Sequence, residues 1–533
     1  MDIVEEEEIK TCPLAPQGGI IYIVYLIKRK IMVKESQVKD VKSICDNTIK
    51  TPSPLGGWGA SFLIGAATSN SGKTTFTMGL LRALRDRGLK VQPYKCGPDY
   101  IDTMFHEIAS GRESVNLDTY MASDEHVKEV FNRYGEDADV RIVEGVMGLF
   151  DGYDKSKGSS AEIAMLLDIP VILVVNAKSV AYSVAPLIYG FKHFNPKLKI
   201  AGVVFNMVAS ENHFSFLKQA CEDAGVPCLG YMLRNSELII PGRHLGLTIE
   251  AREETEKLIR LAAKEVEEHV GWPLPPPSPV EREPIREREQ IKEDKVSIGL
   301  SPSGSLPTEG SPMLITSEYV KSGGRGHLIA IAKDSAFNFT YRANIDALRE
   351  LGEIIFFSPL NDERMPDCDL LYLPGGYPEL FASDLTNNAS MRESIKAFAE
   401  NGGRIFAECG GFMYLCNDID GIPMCGVFPF SATMMDAKLH LGYRQLCNTK
   451  LSTLNPKLAK GHEFHYSSVV EPDTLPEGIR KEQFQLSAKG QAVDTALYHY
   501  KNVLAGYTHW YWAETGFAEL LDLFKRKDTE TQR

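Results

Sequence analysis

The sequence predicts an α/β protein made of two domains. Apolar runs alternate with helical patterns from about residue 62 to 271, which is typical of a mainly parallel sheet flanked by helices. A proline-rich, densely charged stretch followed by a Ser/Gly-rich stretch then interrupts the alternation, and such composition favours a linker. A second alternation begins near residue 327. We therefore predict an extension outside any domain over 1–60, domains over 61–271 and 327–520, a linker over 272–326 and a charged tail over 521–533.

Composition excludes several classes of protein. A net charge of −13 argues against general nucleic-acid binding, which depends on a basic surface. The ten cysteines form no CxxC pairs, so a disulfide framework or zinc site has little support. The apolar run over 20–27 is far shorter than the about 20 residues that span a bilayer. We predict a cytoplasmic protein with neither nucleic-acid nor membrane partners, and leave open whether it forms a homodimer.

A phosphate-binding loop opens the first domain. A short apolar strand over 62–64 leads into the loop ATSNSGKTT and then an amphipathic helix, which is the context that a Walker A motif requires. The lysine adds charge at the β- and γ-phosphates, the following threonine offers a hydroxyl to Mg²⁺, and the helix N-terminus favours the anion. Ala67 replaces the first glycine of the pattern, so φ must be negative there. We assign nucleotide binding to Gly72, Lys73, Thr74 and Thr75.

Two further strand ends bring polar side chains to the same edge of the sheet. The predicted strand over 91–94 leads into Lys95 and the loop GPDYID, which carries Asp99 and Asp102. Ligands of α/β sheets bind at this edge, although a Gly-Pro turn with solvated acids is the alternative. Glu144 ends the predicted strand over 140–144, where a Walker B-type carboxylate holds Mg²⁺. Several acids around Mg·ATP indicate that a substrate carboxylate is oriented for attack on the γ-phosphate.

The second domain contains a candidate nucleophile. Cys409 lies between a predicted strand and a glycine-rich helix start, which is the cysteine analogue of a nucleophile elbow. We predict that the helix N-terminus favours its thiolate and that the N–H groups of Gly410 and Gly376 form an oxyanion hole. His509 follows a later strand and is the candidate base. The alternative for a single cysteine is a small buried apolar side chain.

The polar segment GHEFHYS lies between these two elements. His462, Glu463 and His465 in this segment contact substrate, support His509 or cap a turn, and the residues alone do not separate these roles.

The chain resembles the cobyrinate a,c-diamide synthases. The resemblance is carried by ATSNSGKTT, YKCGPDYIDTMFHEIASGR, VEGVMGLFDG, LPGGYPE, AECGGFMYL, GHEFHYS and GYTHWYW, and it covers residues 62–247 and 328–517. It implies a first domain similar to dethiobiotin synthetase, which phosphorylates the c- and then the a-acetate carboxylate of cobyrinate. It also implies a second domain similar to the class I glutamine amidotransferases, which supplies ammonia from glutamine.

The resemblance also implies roles for individual residues. Cys409 is then the nucleophile and His509 activates it, with Mg²⁺ as cofactor and ATP, glutamine and cobyrinate as substrates. Tyr511 stands where a third acid follows the histidine in related triads, so the orientation of His509 is unexplained. Lys73, Thr74, Lys95 and Glu144 fall at ATP and Mg²⁺ positions, and Asp99, Tyr100, Ile101, Asp102 and Asp151 fall on loops close to the substrate.

Two alternative functions remain at this point. The first is the same reaction on another acidic tetrapyrrole, such as hydrogenobyrinate or nickel-sirohydrochlorin, or amidation of other carboxylates as in cobyric acid synthase. The second is a non-enzymatic switch ATPase with a decayed amidotransferase domain. Such switches carry an additional lysine near the start of the phosphate loop, where this chain has Thr68, and this argues against the second alternative.

Overall fold

A computed structural model describes residues 60–238, 240, 249–271, 327–435, 438–446, 459–483 and 485–517. The predicted extension up to residue 59, the linker over 272–326 and the charged tail lie outside the described residues.

The first domain is a seven-stranded parallel sheet with helices on both faces, in the order β3-β2-β4-β1-β5-β6-β7. Its strands are β1 (Ala60–Ala66), β2 (Val91–Cys96), β3 (Val115–Leu117), β4 (Val140–Glu144), β5 (Val171–Asn176), β6 (Ile200–Val208) and β7 (Cys228–Leu233). Its helices are α1 (Lys73–Asp86), α2 (Ile101–Ser110), α3 (Asp124–Gly135), α4 (Ser160–Leu166), α5 (Val184–Phe194), α6 (Glu211–Asp223) and α7 (Ile249–His269).

The sequence accounts for most of these elements. Strands β2 and β4 are buried at every position, as expected of parallel strands covered on both faces, and all five predicted strands are confirmed. Helices α3, α4 and α6 begin at serine N-caps whose side chains accept a backbone N–H from the first turn. The strands that prediction missed are β3, which is only three residues long, and β7, which a glycine interrupts.

The second domain combines a seven-stranded sheet, in the order β18-β20-β21-β11-β10-β8-β9, with two four-stranded sheets. The small sheets have the orders β13-β12-β14-β17 and β19-β15-β16-β22. Its helices are α8 (Arg342–Arg349), α9 (Ala382–Asn387), α10 (Ala389–Glu400) and α11 (Gly410–Leu415). Its strands are β8 (His327–Ala332), β9 (Gly352–Phe357), β10 (Leu370–Leu373), β11 (Arg404–Glu408), β12 (Cys416–Ile419), β13 (Ile422–Pro423), β14 (Phe428–Thr433), β15 (His440–Leu446), β16 (Lys460–His465), β17 (Ser468–Val470), β18 (Ile479–Glu482), β19 (Gln485–Ser487), β20 (Leu497–Tyr500), β21 (Val503–Gly506) and β22 (His509–Tyr511).

The two domains share one apolar core. Buried Phe339, Tyr341 and Tyr511 of the second domain belong to the same cluster of side chains as the core beneath α3, α5 and α6 of the first. Polar contacts surround this junction, including the hydroxyl of Tyr443, which donates to Asp118 Oδ2 at 2.7 Å. Side chains of both domains are therefore buried together at this junction, which the linker composition did not predict.

Among the helices in the described part of the chain, none has both the length and the apolar character that crossing a bilayer requires.

Candidate functional site

The phosphate loop between β1 and α1 has the backbone that its sequence requires. Ala67 does not have positive φ, so the prediction for this substitution is confirmed, and Gly72 adopts φ 92° at the N-cap of α1. A side chain on Gly72 would collide with Asn206, whose amide donates to the Ser71 carbonyl at 3.1 Å. Asn206 lies near the end of β6, two residues before Val208, and braces the loop, a role that its sequence context did not indicate.

Side chains from three strand ends converge below this loop. The Thr74 hydroxyl donates to Glu144 Oε1 at 2.8 Å and lies 3.3 Å from Asp102 Oδ2. The Lys95 ammonium donates to Asp102 Oδ2 at 2.6 Å and to Glu144 Oε1 at 3.0 Å, and lies 3.9 Å from Asp99. One hydroxyl and two carboxylate oxygens around a single point are a donor set that fits Mg²⁺. Asp102, which we predicted on the substrate side, thus lies with the predicted metal ligands.

The charge balance of this cluster also favours a cation. Burial would lower the pKa of Lys95, but Asp102, Glu144 and Asp99 outweigh that effect and raise it well above its usual range. Burial raises the pKa of Asp102 to about 8, with Asp99 adding to the shift and Lys95 opposing it. Burial opposes the charge on Glu144, yet Lys95 and His106 hold its pKa below the ordinary value. A divalent cation bound here would favour the charged form of Asp102 and so oppose the effect of burial on its pKa.

His106 also contacts this cluster, although the sequence analysis assigned it no role. It lies on α2, one turn after Asp102, and its Nε2 is 2.7 Å from Glu144 Oε2. Its Nδ1 is 3.0 Å from the Ser114 hydroxyl, which fixes the ring. A buried histidine that holds the second oxygen of a carboxylate orients the first oxygen, as outer-shell partners of metal ligands do. His106 follows Asp102 by four residues, which places the two side chains on one face of α2, and this spacing was the sequence signal for the contact.

The remaining predicted residues of the first domain lie at different depths. The Lys73 ammonium donates to the Met147 carbonyl at 2.6 Å. Asp151 lies on the same loop as Met147, where it is exposed and accepts the Gly148 N–H at 3.0 Å. Asp99 is partly exposed, whereas Ile101 packs against the shared core and Tyr100 is buried in the domain junction. Thr75 is buried on α1. The predicted substrate roles of Asp99, Tyr100, Ile101 and Asp151 stay predictions.

Cys409 forms the turn between β11 and α11. Its φ of 46° and ψ of −105° lie outside the ordinary regions for a side-chain-bearing residue, which is the strained geometry of a nucleophile elbow. The Gly410 N–H contacts the thiol, and a Cβ on Gly410 would come within 2.9 Å of the Gly376 nitrogen. The Gly376 nitrogen therefore lies beside Gly410, and the oxyanion hole that we predict at these two N–H groups stays a prediction.

Burial favours the uncharged forms of both the thiol and the imidazole. Burial raises the pKa of Cys409 well above its usual range, and Glu379 adds to this shift. Burial lowers the pKa of His509 to about 3, with His465 adding to this shift. Our prediction that the helix N-terminus favours the thiolate is wrong, because burial and nearby carboxylates outweigh the N-terminus of the six-residue α11. Attack by the sulfur consequently requires proton transfer to a base.

Ring stacking positions His509. Its Nδ1 is buried and has no hydrogen-bond partner among the described residues. His462 stacks on the ring at 4.9 Å with an interplanar angle of 16°, and Tyr100 of the first domain packs against it at 5.2 Å. Gly375 leaves room for this ring, since a Cβ there would collide with Cε1 of His509. Tyr511, which stands at the usual acid position, has its hydroxyl 3.0 Å from His126 of the first domain.

Glu408 links the base to the nucleophile turn. Its carboxylate accepts the Trp510 N–H at 2.8 Å and the Tyr372 hydroxyl at 2.7 Å. Because Glu408 precedes Cys409 and Trp510 follows His509, this hydrogen bond joins the two segments that carry the nucleophile and the base. Burial raises the pKa of Glu408 to about 8. The glutamate of the AECGG motif was the sequence signal for this link, but the sequence analysis assigned it no role.

The GHEFHYS segment separates into two roles. His462 supports His509 by stacking, as one of the three interpretations held. Glu463 instead accepts from Arg444 Nε at 2.6 Å and contacts His465 Nε2 at 2.7 Å. His440, Glu463 and His465 lie close enough together to hold a metal ion, but Arg444 and His465 already engage both carboxylate oxygens. We therefore interpret this group as a structural ion pair.

Removing the Tyr100 ring tests whether it positions His509. We expect Tyr100→Ala to lower kcat for glutamine hydrolysis about 10- to 100-fold, because small displacements of a catalytic group have effects of this size. Tyr100→Phe should retain most of the activity because it keeps the stacked ring. Steady-state glutamine hydrolysis in the two variants checks the prediction. An unchanged kcat for glutamine in Tyr100→Ala, with a raised KM for the carboxylate substrate, would support a substrate role instead.

The lowered pKa of His509 sets an expected pH profile. Because the ring stays neutral down to about pH 3, kcat/KM for glutamine hydrolysis should lack an acidic limb near the ordinary histidine value of about 6.5. The unfolded chain binds the proton that the folded site excludes, so stability should decline as pH falls below about 6.5. Initial rates from pH 5 to 8, with circular dichroism at each pH, check this. A limb centred near 6.5 in folded protein would contradict it.

Comparison with known proteins gives matches along both domains. Residues 62–247 match the CobQ/CobB/MinD/ParA nucleotide binding domain, and residues 328–517 match the CobB/CobQ-like glutamine amidotransferase domain. The chain is 41% identical to a cobyrinate a,c-diamide synthase of Listeria monocytogenes over 78% of its length and 88% of the relative. A cobyrinate a,c-diamide synthase of Picrophilus torridus is 38% identical, with 85% and 95% covered. A hydrogenobyrinate a,c-diamide synthase of Streptomyces coelicolor is 37% identical, with 77% and 87% covered.

Proposed function

The chain belongs to the cobyrinate a,c-diamide synthase family, and we propose that it converts the a- and c-acetate carboxylates of cobyrinate into amides with ATP and glutamine. This is a glutamine-hydrolysing carbon–nitrogen ligase reaction of cobalamin biosynthesis. A carboxylate resists ammonia because hydroxide is a poor leaving group. The reaction therefore divides into activation of the acid and delivery of the nitrogen.

Activation belongs to the first domain. Backbone N–H groups of the phosphate loop and the ammonium of Lys73 hold the triphosphate, and a substrate carboxylate oxygen attacks the γ-phosphorus as ADP leaves. Thr74, Asp102 and Glu144 would hold Mg²⁺, which would neutralise charge on the phosphates. His106 holds Glu144 in its orientation. The product of this step is an acyl phosphate.

Delivery of nitrogen belongs to the second domain. The Cys409 sulfur attacks the glutamine amide carbon while His509 takes the thiol proton and passes it to the leaving ammonia. The N–H groups of Gly376 and Gly410 stabilise the oxyanion that forms. Water then releases glutamate from the thioester. Ammonia attacks the acyl phosphate, and inorganic phosphate leaves as the amide forms.

One segment supports the coupling of these steps more directly than any other observation. Asp102 contacts Lys95 and Thr74 in the first domain, and Tyr100, two residues earlier, packs on His509 of the second. The phosphoryl-transfer cluster and the base for glutamine hydrolysis are therefore joined by three consecutive residues. Ammonia released beside this segment is close to its acceptor, which raises its effective concentration.

Mass spectrometry of the products tests the proposal. Purified protein with cobyrinate, Mg·ATP and glutamine should give two successive conversions of acid to amide. A parallel reaction with hydrogenobyrinate shows which macrocycle is the substrate, since relatives of the chain are named for both compounds. Hydrolysis of glutamine without any amide on either corrin would count against the proposal.

A further inference from the structure

The small sheet β19-β15-β16-β22 presents three rows of side chains on one face. Residues two apart on a strand share a face, and the antiparallel registers align them across β15, β16 and β22. The first row is Gln445, Lys460 and Tyr511, the second is Tyr443, His462 and His509, and the third is Leu441 and Phe464.

The first two rows are covered by the first domain. Tyr120 packs against the ring of Tyr443 at 4.3 Å, and its hydroxyl lies 3.4 Å from Gln445. Tyr100 lies 5.6 Å from the ring of His462 and 5.2 Å from that of His509. These contacts build the domain junction and place the amidotransferase base inside it.

The third row continues the same face but is open. Leu441 is 60% exposed and Phe464 is partly exposed. Leu439, at 48%, extends the apolar surface immediately before β15. We call these three side chains the open platform. Apolar patches of this kind on a protein surface mark binding sites more often than chance.

The synthetase side of the junction also exposes an apolar side chain. Met147 is 45% exposed, and its carbonyl accepts the Lys73 ammonium. Tyr153 on the following loop packs on Tyr443 of the second row at 5.8 Å. The open platform is therefore continuous with a junction that leads from His509 to the phosphate loop.

We propose that the open platform binds the flat apolar face of the tetrapyrrole macrocycle, so that a peripheral acetate enters the junction between Lys73 and His509. The proposal rests on the proposed function, because it names the subsite for that substrate. A corrin presents a broad apolar ring with carboxylates at its edge, and exposed Lys438 beside Leu439 would face such an edge. A second copy of the chain is the competing occupant.

Equilibrium dialysis with cobyrinate, followed by its visible absorbance, tests the platform. Leu441→Ser should raise the Kd for cobyrinate about ten-fold, the effect expected when a leucine-sized apolar contact is lost. Leu187→Ser is the matched control, since Leu187 is an exposed leucine on α5 of the first domain, and it should leave the Kd unchanged. Corrin-independent glutamine hydrolysis should be unaffected in both variants, which confirms that the site is folded.

The outcomes separate the platform from the proposed function. An unchanged Kd in Leu441→Ser would overturn the platform alone. A sedimentation change in Leu441→Ser with an unchanged Kd would overturn it in favour of self-association. Wild-type protein that binds neither cobyrinate nor hydrogenobyrinate would overturn the proposed function and the platform together.

Discussion

Replacing Cys409 with serine should abolish glutamine-dependent amidation and leave ammonia-dependent amidation intact. The serine hydroxyl is a far weaker nucleophile than a cysteine thiol, so we expect a loss of at least about 10³-fold in glutamine hydrolysis. The first domain keeps its phosphate loop and carboxylate cluster, so externally added ammonia should still meet the acyl phosphate. Glutamate release and amide formation, measured with each nitrogen source in turn, check both halves of this prediction.

Cys368→Ser is the matched control for this experiment. Cys368 is a partly buried cysteine of the same domain that lies outside the nucleophile turn, and its replacement should leave both reactions near wild type. Substantial glutamine-dependent amidation by Cys409→Ser protein would contradict the assignment of the nucleophile. Loss of ammonia-dependent amidation as well would contradict the division of labour between the domains.

Replacing Lys73 with methionine should give the complementary result. The ammonium is the one cation of the phosphate loop itself, and loss of such a charge from a transferring phosphoryl group costs about 10²- to 10³-fold. Amidation should fall by this factor with glutamine and with ammonia alike, whereas glutamine hydrolysis should continue. ADP formation, amide formation and glutamate release, measured on the same protein, separate these effects.

Lys90→Met provides the control, since Lys90 is an exposed lysine of the same domain between α1 and β2. It should leave all three rates unchanged. Amidation at the wild-type rate in Lys73→Met protein would remove the phosphate loop from the mechanism. Equal loss of glutamine hydrolysis would mean that the loop is needed for the fold of the junction and not only for phosphoryl transfer.

The sequence was most informative where local rules determine the structure. The strand–loop–helix around Lys73 and the strand–turn–helix around Cys409 are encoded by consecutive residues, so motif and spacing predicted both. Asp102 and His106 were harder to assign. The loop containing Asp102 was recognised, but its contact with Thr74 depends on how two strands pair in the sheet.

The features that prediction missed depend on long-range packing. Tyr100 and His509 are separated by most of the chain, and no local pattern indicates that their rings meet. The raised pKa of the Cys409 thiol has the same origin, because its burial follows from how the second domain closes around it. Our prediction that the thiolate is favoured considered the N-terminus of the adjacent helix but not the burial of the thiol. Strand register in the small sheet, which creates the open platform, likewise follows from pairing between distant segments.

Isotope transfer from labelled substrates tests the central claim most directly. Cobyrinate carrying ¹⁸O in its carboxylates, with ATP and glutamine labelled with ¹⁵N in the amide, should yield one ¹⁸O atom in inorganic phosphate for each ¹⁵N amide formed. That result requires an acyl phosphate in one half of the molecule and nitrogen released from glutamine in the other. Phosphate without ¹⁸O, or amide without ¹⁵N when no other nitrogen source is present, would contradict the account.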